Sequence, residues 1–553
     1  MKKTLLFLLI AIACHSSAQL SGTALLPGQN DHSGIKVKFI AKSSTALTDS
    51  TSTNSNGTWS ANISSGLYSV VFSKTGYRNL KYQGGAVQLI NNSMQLDSVI
   101  LLTGLTHSVN GIVHGTWETE DTYVVTGDLT IPFDSILQIE PGVKVVFSGY
   151  YSINAIGSLL ATGTNDNKIL FSSMASTPGV NDWKGLIIQN NAKVLHCIIE
   201  YCSEPLITYG GPWIAYGEIR KFGRHGVQSY GKADVHDMAI HDYSGDSAHA
   251  VICNFKDISN LVRCNYIYNG SFGIGNFGSG IFENNVINNI SPGYGMAALD
   301  GAQPSIRNNI IHSCSKGILI GSDSSHGAGG GLICNTLYDN NVAIEFYNNF
   351  NSQCVQNIVV NNTVGIQQTG NMATPGVSCN LVWNNSGGDF QNLNIPALGQ
   401  KVSVNGNGDS IDTYYNLFMD PLFENGFAPF VSSQSPCNNA AMNLTQAYYK
   451  HIGAQKNECF VMQLIAGIKQ AEPAQALHVY PNPFNSQFSL VLPAGEFYRE
   501  SRLTSLAGIE FGLLAMPTGN TVLCTPVSSL PPGFYILQCV SNKRSYVFKI
   551  LKE

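Results

Sequence analysis

Charge is the scarcest property of this chain. Asp, Glu, Lys and Arg make up only 12% of the 553 residues and leave a net charge of −5, so the clustered cations that nucleic-acid binding requires are missing. After the first eighteen residues no apolar run is long enough to cross a membrane. The twelve cysteines that follow Ala18 include no CxxC pair and no His/Cys spacing suited to zinc. Thr, Ser, Asn and Gly are abundant around aliphatic residues, the balance of secreted β-rich proteins.

A long-period repeat organises the middle of the chain. Asn265, Asn285, Asn309, Asn335, Asn357 and Asn380 are spaced by 20, 24, 26, 22 and 23 residues, each two residues before an aliphatic position: Ile267, Ile287, Ile311, Leu337, Val359 and Val382. A polar residue locked to an apolar one at this period predicts stacked coils that bury their apolar edges against one another. Asparagine suits such a column because its amide donates and accepts, bonding the coil above and the coil below. A second column agrees: a small residue precedes an apolar one at Gly226, Ala250, Gly273, Gly295, Gly317, Ala343 and Gly365.

The ends carry an address. Lys2 and Lys3, the apolar run Leu5 to Ala13 and Ser16-Ser17-Ala18 read as a signal peptide over 1–18, leaving Gln19 first. Cys14 offers a lipoprotein alternative, against which Ala11-Ile12-Ala13 is a poor lipobox. Among the later cysteines most are expected to be small core residues. Cys437 with Cys459 and Cys524 with Cys539 are the pairs to test for disulfides.

Alternating strands and Asn/Gly turns, as in Gly34-Ile35-Lys36-Val37-Lys38-Phe39, Asn54-Ser55-Asn56-Gly57 and Gly66-Leu67-Tyr68, predict a small β-sandwich over 19–103. This segment resembles the transthyretin-like, carboxypeptidase regulatory-like domain, with Asn54 where that pattern usually has Asp. The resemblance implies an accessory module. The succession Leu129-Thr130-Ile131-Pro132, Leu137 to Phe147, Gly157 to Thr164 and Asp182-Trp183-Lys184-Gly185 resembles the opening of right-handed parallel β-helices of the pectin-lyase-like superfamily. A helix of roughly a dozen coils is expected over 104–460, closed by a cap at Asp420-Pro421-Leu422-Phe423 and His451-Ile452-Gly453-Ala454. After a linker at 461–475, residues 476–553 run from Val479-Tyr480-Pro481-Asn482-Pro483-Phe484 through Leu506-Ala507-Gly508 and Leu530-Pro531-Pro532-Gly533-Phe534-Tyr535 to Tyr546-Val547-Phe548-Lys549-Ile550. This unit resembles the type A C-terminal sorting domain of the type IX secretion system of Bacteroidetes-like bacteria. That resemblance implies export across the outer membrane by the type IX machinery, to an extracellular or surface-anchored location. The fold class expected is all-β throughout.

The one concentration of charge lies between Glu218 and His249, with thirteen titratable residues in thirty-two. If Ile198, Ile219 and Ile240 face inward, Glu200, Lys221 and Asp242 stack on successive coils about 4.8 Å apart. Functionally, Lys221, Arg220, Arg224 and His225 are the residue types for proton abstraction beside a uronate carboxylate, as in β-helical polysaccharide lyases. In that case Asp234, Asp242 and Asp246 are the candidates to hold calcium; otherwise no cofactor is expected. The plainer reading is a salt-bridged ladder on the surface. A hydrolase needs carboxylates paired across a groove, and no polygalacturonase-like Asp-Asp or Gly-His-Gly motif is present. Glu200, Glu218, Asp242, Tyr201, Tyr243 and Trp213 are the candidate ligand contacts. Tyr201, Phe222 and Tyr243 are expected to stack, and Tyr216 and Tyr230 lie near them. The reading is therefore a monomeric, exported β-helix that binds or adheres to a polysaccharide or surface glycan, with a polysaccharide lyase, and less readily a hydrolase, as the alternative.

Overall fold

The computed structural model describes residues 17–552 except 43–48, 83–85, 90–92, 190–191, 233, 255–258, 323–326, 349, 371–373, 406–407, 425–428, 439–450, 457–477, 481–483, 493–497, 506–509, 519–520, 528, 532 and 542–544. Outside the described residues lie most of the signal peptide with Cys14, the linker 461–475, Cys459, His326, and the Pro481-Asn482-Pro483 and Leu506-Ala507-Gly508 motifs. Two compact units result, Met1–Leu464 and Ile465–Glu553. The described secondary structure is strand throughout, and no helix in it is long and apolar enough to cross a membrane.

The first unit begins with two small sheets that share one core. Leu20, Trp59 and Ile63 from one sheet meet Val37, Phe39, Val70 and Phe72 from the other. A buried carboxylate joins this part to the first coil. Asp121, fully buried, accepts from Arg78, from His107 Nε2 at 2.7 Å and from the Leu105 amide at 2.8 Å.

From Thr106 onward the chain winds into a parallel β-helix of about twelve turns, with three strands per turn. Each coil's short middle strand shows one residue inward: Ile199, Ile219, Ile240, Ile267, Ile287, Ile311, Leu337, Val359 and Val382, all fully buried. The column of small residues is required by close approach between coils. A Cβ on Gly317 would lie 2.5 Å from the Ala343 carbonyl oxygen.

The asparagine column forms as the period predicts. Asn309 Nδ2 donates to Asn335 Oδ1 at 2.9 Å and to the Phe282 carbonyl, while its own Oδ1 accepts from Asn285 Nδ2 and the Asn285 amide. All six asparagines are fully buried. The ladder does not end at Asn380: that residue donates to Asn416 Oδ1 at 3.1 Å, and Asn416 is held by Asp412. A second ladder, Asn340–Asn362–Asn385, runs beside it with the same bond pattern.

Ten described cysteines are buried, including Cys437, Cys524 and Cys539. The expectation of small core residues holds for them, and neither pair named for testing is bonded: Cys524 is a free thiol, as is Cys437, whose suggested partner Cys459 lies outside the described residues. Cys524 and Cys539 instead fill the shared core of two antiparallel sheets in the second unit, alongside Phe484, Leu490 and Leu537. Cys264 is disulfide-bonded.

Candidate functional site

On the outer side of the middle strands two columns of side chains point away from the core, and their character changes along the axis. One column reads Ile198, Glu218, Ala239, Tyr266, Val286, Ile310, Thr336, Ile358, Leu381. The other reads Glu200, Arg220, His241, Tyr268, Asn288, His312, Tyr338, Val360, Trp383. Charged groups occupy the early coils, and aliphatic residues predominate in the first column from Val286 onward.

The late coils are covered. The described residues of 416–424, 429–438 and 451–456 lie along this surface: Asn416 caps the ladder, Gly453 N–H donates to the Gln356 carbonyl, Ala454 N–H to Thr336 Oγ1 and Gln455 N–H to Asn308 Oδ1. Ile358, Val360, Leu381, Cys437 and Ile452 form one buried cluster beneath this segment, and Val286, Ile310, Phe430 and Ala454 another. The expected cap thus extends sideways along the solenoid as well as over its end.

The uncovered coils carry a continuous polar array. Ser172 Oγ donates to Glu200 Oε1 at 2.8 Å, and Arg220 Nε donates to Glu200 Oε2 at 2.7 Å. The Arg220 guanidinium also reaches Glu218 Oε1 at 2.5 Å. His241 then bridges Glu218 at 3.0 Å and Asp242 at 2.9 Å, so both ring nitrogens face carboxylate oxygens; both bonds are made in full only when each nitrogen carries a proton. Burial alone would raise Glu218, but the His241 bond and the Arg220 charge outweigh it and hold the carboxyl down at about 2. Tyr268 stacks on His241 at 4.5 Å and on Tyr266 at 4.5 Å, closing the array where the covered coils begin.

This arrangement corrects the expected register. Ile199, not Ile198, faces inward, so the step to Ile219 is one residue shorter than assumed. Glu200 consequently stacks on Arg220, and it is Tyr201 that lies in line with Lys221 and Asp242 at the corner. Lys221 Nζ donates to Tyr201 Oη at 3.0 Å and sits 5.1 Å from the ring centre. That bond to Tyr201 raises the ammonium above its ordinary range. Phe222 and Tyr243 do stack, at 4.6 Å, but inside the core, and the Tyr243 hydroxyl donates to the Phe272 carbonyl. Tyr243 is therefore a packing residue.

The three candidate metal ligands are dispersed. Asp234 stands on the strand Asp234–His236 of a different face, 4.0 Å from Arg263. Asp242 is engaged by His241 and by Asn269, and Asp246 lies in the exposed corner. Among the described residues no three His, Cys, Asp or Glu side chains are grouped to hold a metal. Arg224 is exposed and lies 3.2 Å from Glu204, an attraction of charges without hydrogen-bond geometry. His225 is buried beside His249 and Arg224, and burial pushes it down to about 4. Trp213 is 39% exposed, and its indole N–H donates to His236 Nε2 at 2.5 Å, which fixes the ring plane. Tyr216, 36% exposed, stacks on His196 at 5.1 Å.

Backbone conformation isolates two coils from the rest. Each middle strand is flanked by a left-handed residue at either corner, with φ between 51° and 62°. At one corner the residues are Tyr201, Lys221, Asp242, Asn269, Asn289, Ser313, Asp339, Asn361 and Asn384; at the other, His196, Tyr216, Asp237, Cys264, Asn284, Asn308, Cys334, Gln356 and Cys379. Asn and Asp tolerate this region because their short polar side chains bond locally; large side chains do not. Tyr201 and Lys221, on two successive coils, break the Asn, Asp and Ser pattern of the first corner; the second corner is mixed throughout, with Cys264, Cys334, Gln356 and Cys379 among its residues.

Residues 110–213 match the family of pectate-lyase-like β-helix domains. Among solved structures, an alginate lyase from Paenibacillus sp. str. FPU-7 is 15% identical, with 45% of this chain and 91% of that chain covered and a TM-score of 0.25. The enzymatically active domain of tailspike protein 2 from bacteriophage CBA120 is 10% identical, with 88% and 81% covered and a TM-score of 0.19. No curated protein matches the chain. The chain thus contains a pectate-lyase-like segment within a parallel β-helix.

Proposed function

We propose that this chain is an exported, surface-displayed β-helix that binds an acidic glycan across the coils of Ile199, Ile219 and Ile240. One observation carries the reading. Bulky left-handed residues persist where something other than folding selects them, and Tyr201 and Lys221 stand in line, beside the polar face, at the corner whose later residues are all Asn, Asp or Ser. The exposed, immobilised rings of Trp213 and Tyr216 and the exposed cations of Lys221 and Arg224 supply stacking and charge for a sugar acid. Binding is favoured over cleavage. A lysine held above its ordinary range is a poor base at neutral pH, and Arg220, the natural partner for a substrate carboxylate, is already taken by Glu200 and Glu218. Export by the type IX machinery rests on the sorting-domain resemblance of residues 476–553, and the accessory role of 19–103 on its own resemblance.

The test is a polysaccharide panel incubated with the mature chain, read both for binding and for release of ultraviolet-absorbing unsaturated ends. Binding of alginate or polygalacturonate without such release is expected. Product release abolished by Lys221→Ala would establish the lyase alternative instead.

A further inference from the structure

The charges of this region are sorted by coil. On the coil of Ile219, built from Trp213–Ala215, Glu218–Arg220 and His225–Ser229, the cations Arg220, Lys221, Arg224 and Lys232 stand against one carboxylate, Glu218. The next coil, residues 234–254, carries four aspartates and neither lysine nor arginine. The preceding coil, residues 192–211, sets Lys193 against Glu200 and Glu204. A surplus of positive charge is thus confined to one coil and reverses on both sides. Adjacent coils lie about 4.8 Å apart, inside the screening length of about 8 Å at physiological salt. A polyanion on one coil therefore feels the charge of the next.

Three of the four aspartates are in register with the groups that would hold a sugar acid. Asp234 is the strand partner of Trp213. Asp237 stands one coil on from Tyr216, and Asp242 one coil on from Lys221, at the two left-handed corners. Their side chains are held in place: Asp237 accepts from His236 Nδ1 at 2.7 Å, and Asp242 accepts from Asn269 Nδ2 at 3.0 Å. An acidic chain running along the solenoid axis would pass from Trp213 onto Asp234, or from Lys221 onto Asp242. A chain running across the axis stays over the cationic coil. At one corner Lys193 Nζ lies 5.8 Å from the centre of the exposed Trp213 ring, and at the other Lys221 and Arg224 are exposed. Between the corners Glu200 and Glu218 are both paired to Arg220, which leaves little net charge on the middle strand to repel the chain.

We infer that an acidic glycan lies across the solenoid, along the coil of Ile219 from Trp213 to Lys221 and Arg224, and that Asp234, Asp237 and Asp242 set this direction by repelling it from the Ile240 coil. The inference rests on the glycan reading above, and its test separates the two. Alginate and polygalacturonate, sparsely activated at their carboxylates as succinimidyl esters, are bound to the full mature protein. The lysines that form amides, and whose coupling is suppressed by excess unactivated polymer, are located by mass spectrometry. Coupling is expected at Lys221 and Lys193. Lys144, in the outward column of Glu218 but three coils earlier, and Lys184, on the coil before Glu204, mark a lengthwise path. Coupling at either of these together with Lys221 would leave the glycan reading standing and overturn the crosswise one. Binding by neither polymer would overturn both. Affinities of exposed-residue variants decide independently of coupling. Arg224→Gln should weaken binding about tenfold, the cost of one charged contact, and Lys144→Gln should leave it unchanged; the reverse pattern overturns the inference. Asp242→Asn, which removes a repelling charge and installs the residue the solenoid uses at this corner, should tighten binding severalfold. Weaker binding by that variant would place the polymer on the Ile240 coil and sink the crosswise lane.

Discussion

Replacing Lys221 by Asn separates function from architecture, because Asn is what the solenoid itself uses at this corner. Four of the seven later residues in the column are Asn and two are Asp. Lys221 adopts φ 52°, a region that costs an ordinary L-residue about 1–2 kcal/mol and Asn less. The exposed bond from Lys221 Nζ to Tyr201 Oη is worth about 0–1 kcal/mol. An Asn amide at this corner can donate to Asp242, continuing the row in which Asn289 donates to Asn269 and Asn269 to Asp242. The terms nearly cancel, with the backbone term ahead. Lys221→Asn should leave stability unchanged or raise it by up to about 1 kcal/mol, measured by urea melts of the mature chain. Its affinity for the acidic glycan should fall tenfold or more. Tyr201→Asn should behave alike. A clear loss of stability with unchanged glycan binding would refute the argument and return this corner to a structural salt-bridge role.

The architecture was legible because it is periodic. The ladder asparagines sit two residues before an inward aliphatic in six successive coils, and such coupling leaves few alternatives. The second ladder was equally visible, since Asn340, Asn362 and Asn385 repeat the intervals of Asn335, Asn357 and Asn380. The register of the charged coils was not, for a local reason. Cys197-Ile198-Ile199 offers two adjacent isoleucines, and a one-residue slip in a strand exchanges the inward and outward faces. That slip put Glu200 in the Lys221 column and Tyr201 in the Phe222 column. The column Asp242, Asn269, Asn289, Ser313, Asp339 is polar in the sequence, yet its cause, a left-handed corner, is a backbone property that composition only hints at. The reach of the cap was hidden for a different reason. Phe430 belongs to no repeat, and what it covers together with the cap residues Ile452 and Ala454, from Val286 to Leu381, looks in sequence like ordinary strand.

Further outcomes follow from particular contacts. Asn309→Ala should cost about 2–4 kcal/mol, since it strips partners from the Asn285 amide and side chain as well as from the Phe282 carbonyl. Asn380→Ala should cost as much as Asn309→Ala in parallel melts, because Asn416 continues the ladder beyond it; a much smaller loss would show that the ladder ends there. Removing residues 476–553 should strand the protein in the periplasm, and surface display of the truncated chain, checked by fractionation, would end the sorting reading. Stability should also fall in acid in two overlapping windows. Burial holds His225 and His312 at about 4, below the ordinary 6.5, so the unfolded chain takes up protons first and stability is lost as pH drops from about 6.5 to 4. Glu218, held at about 2 against an ordinary 4.5 once the His241 and Arg220 contributions outweigh its burial, has the same sign and extends the loss from about 4.5 downward. Each group contributes at most about 3 kcal/mol, and less where solvent screens it. In urea melts across this range, His225→Gln should flatten the upper window and leave the lower one. A midpoint that stays constant between pH 6.5 and 4.5 in the unaltered protein would mean that His225 and His312 are charged in the fold, contrary to their burial.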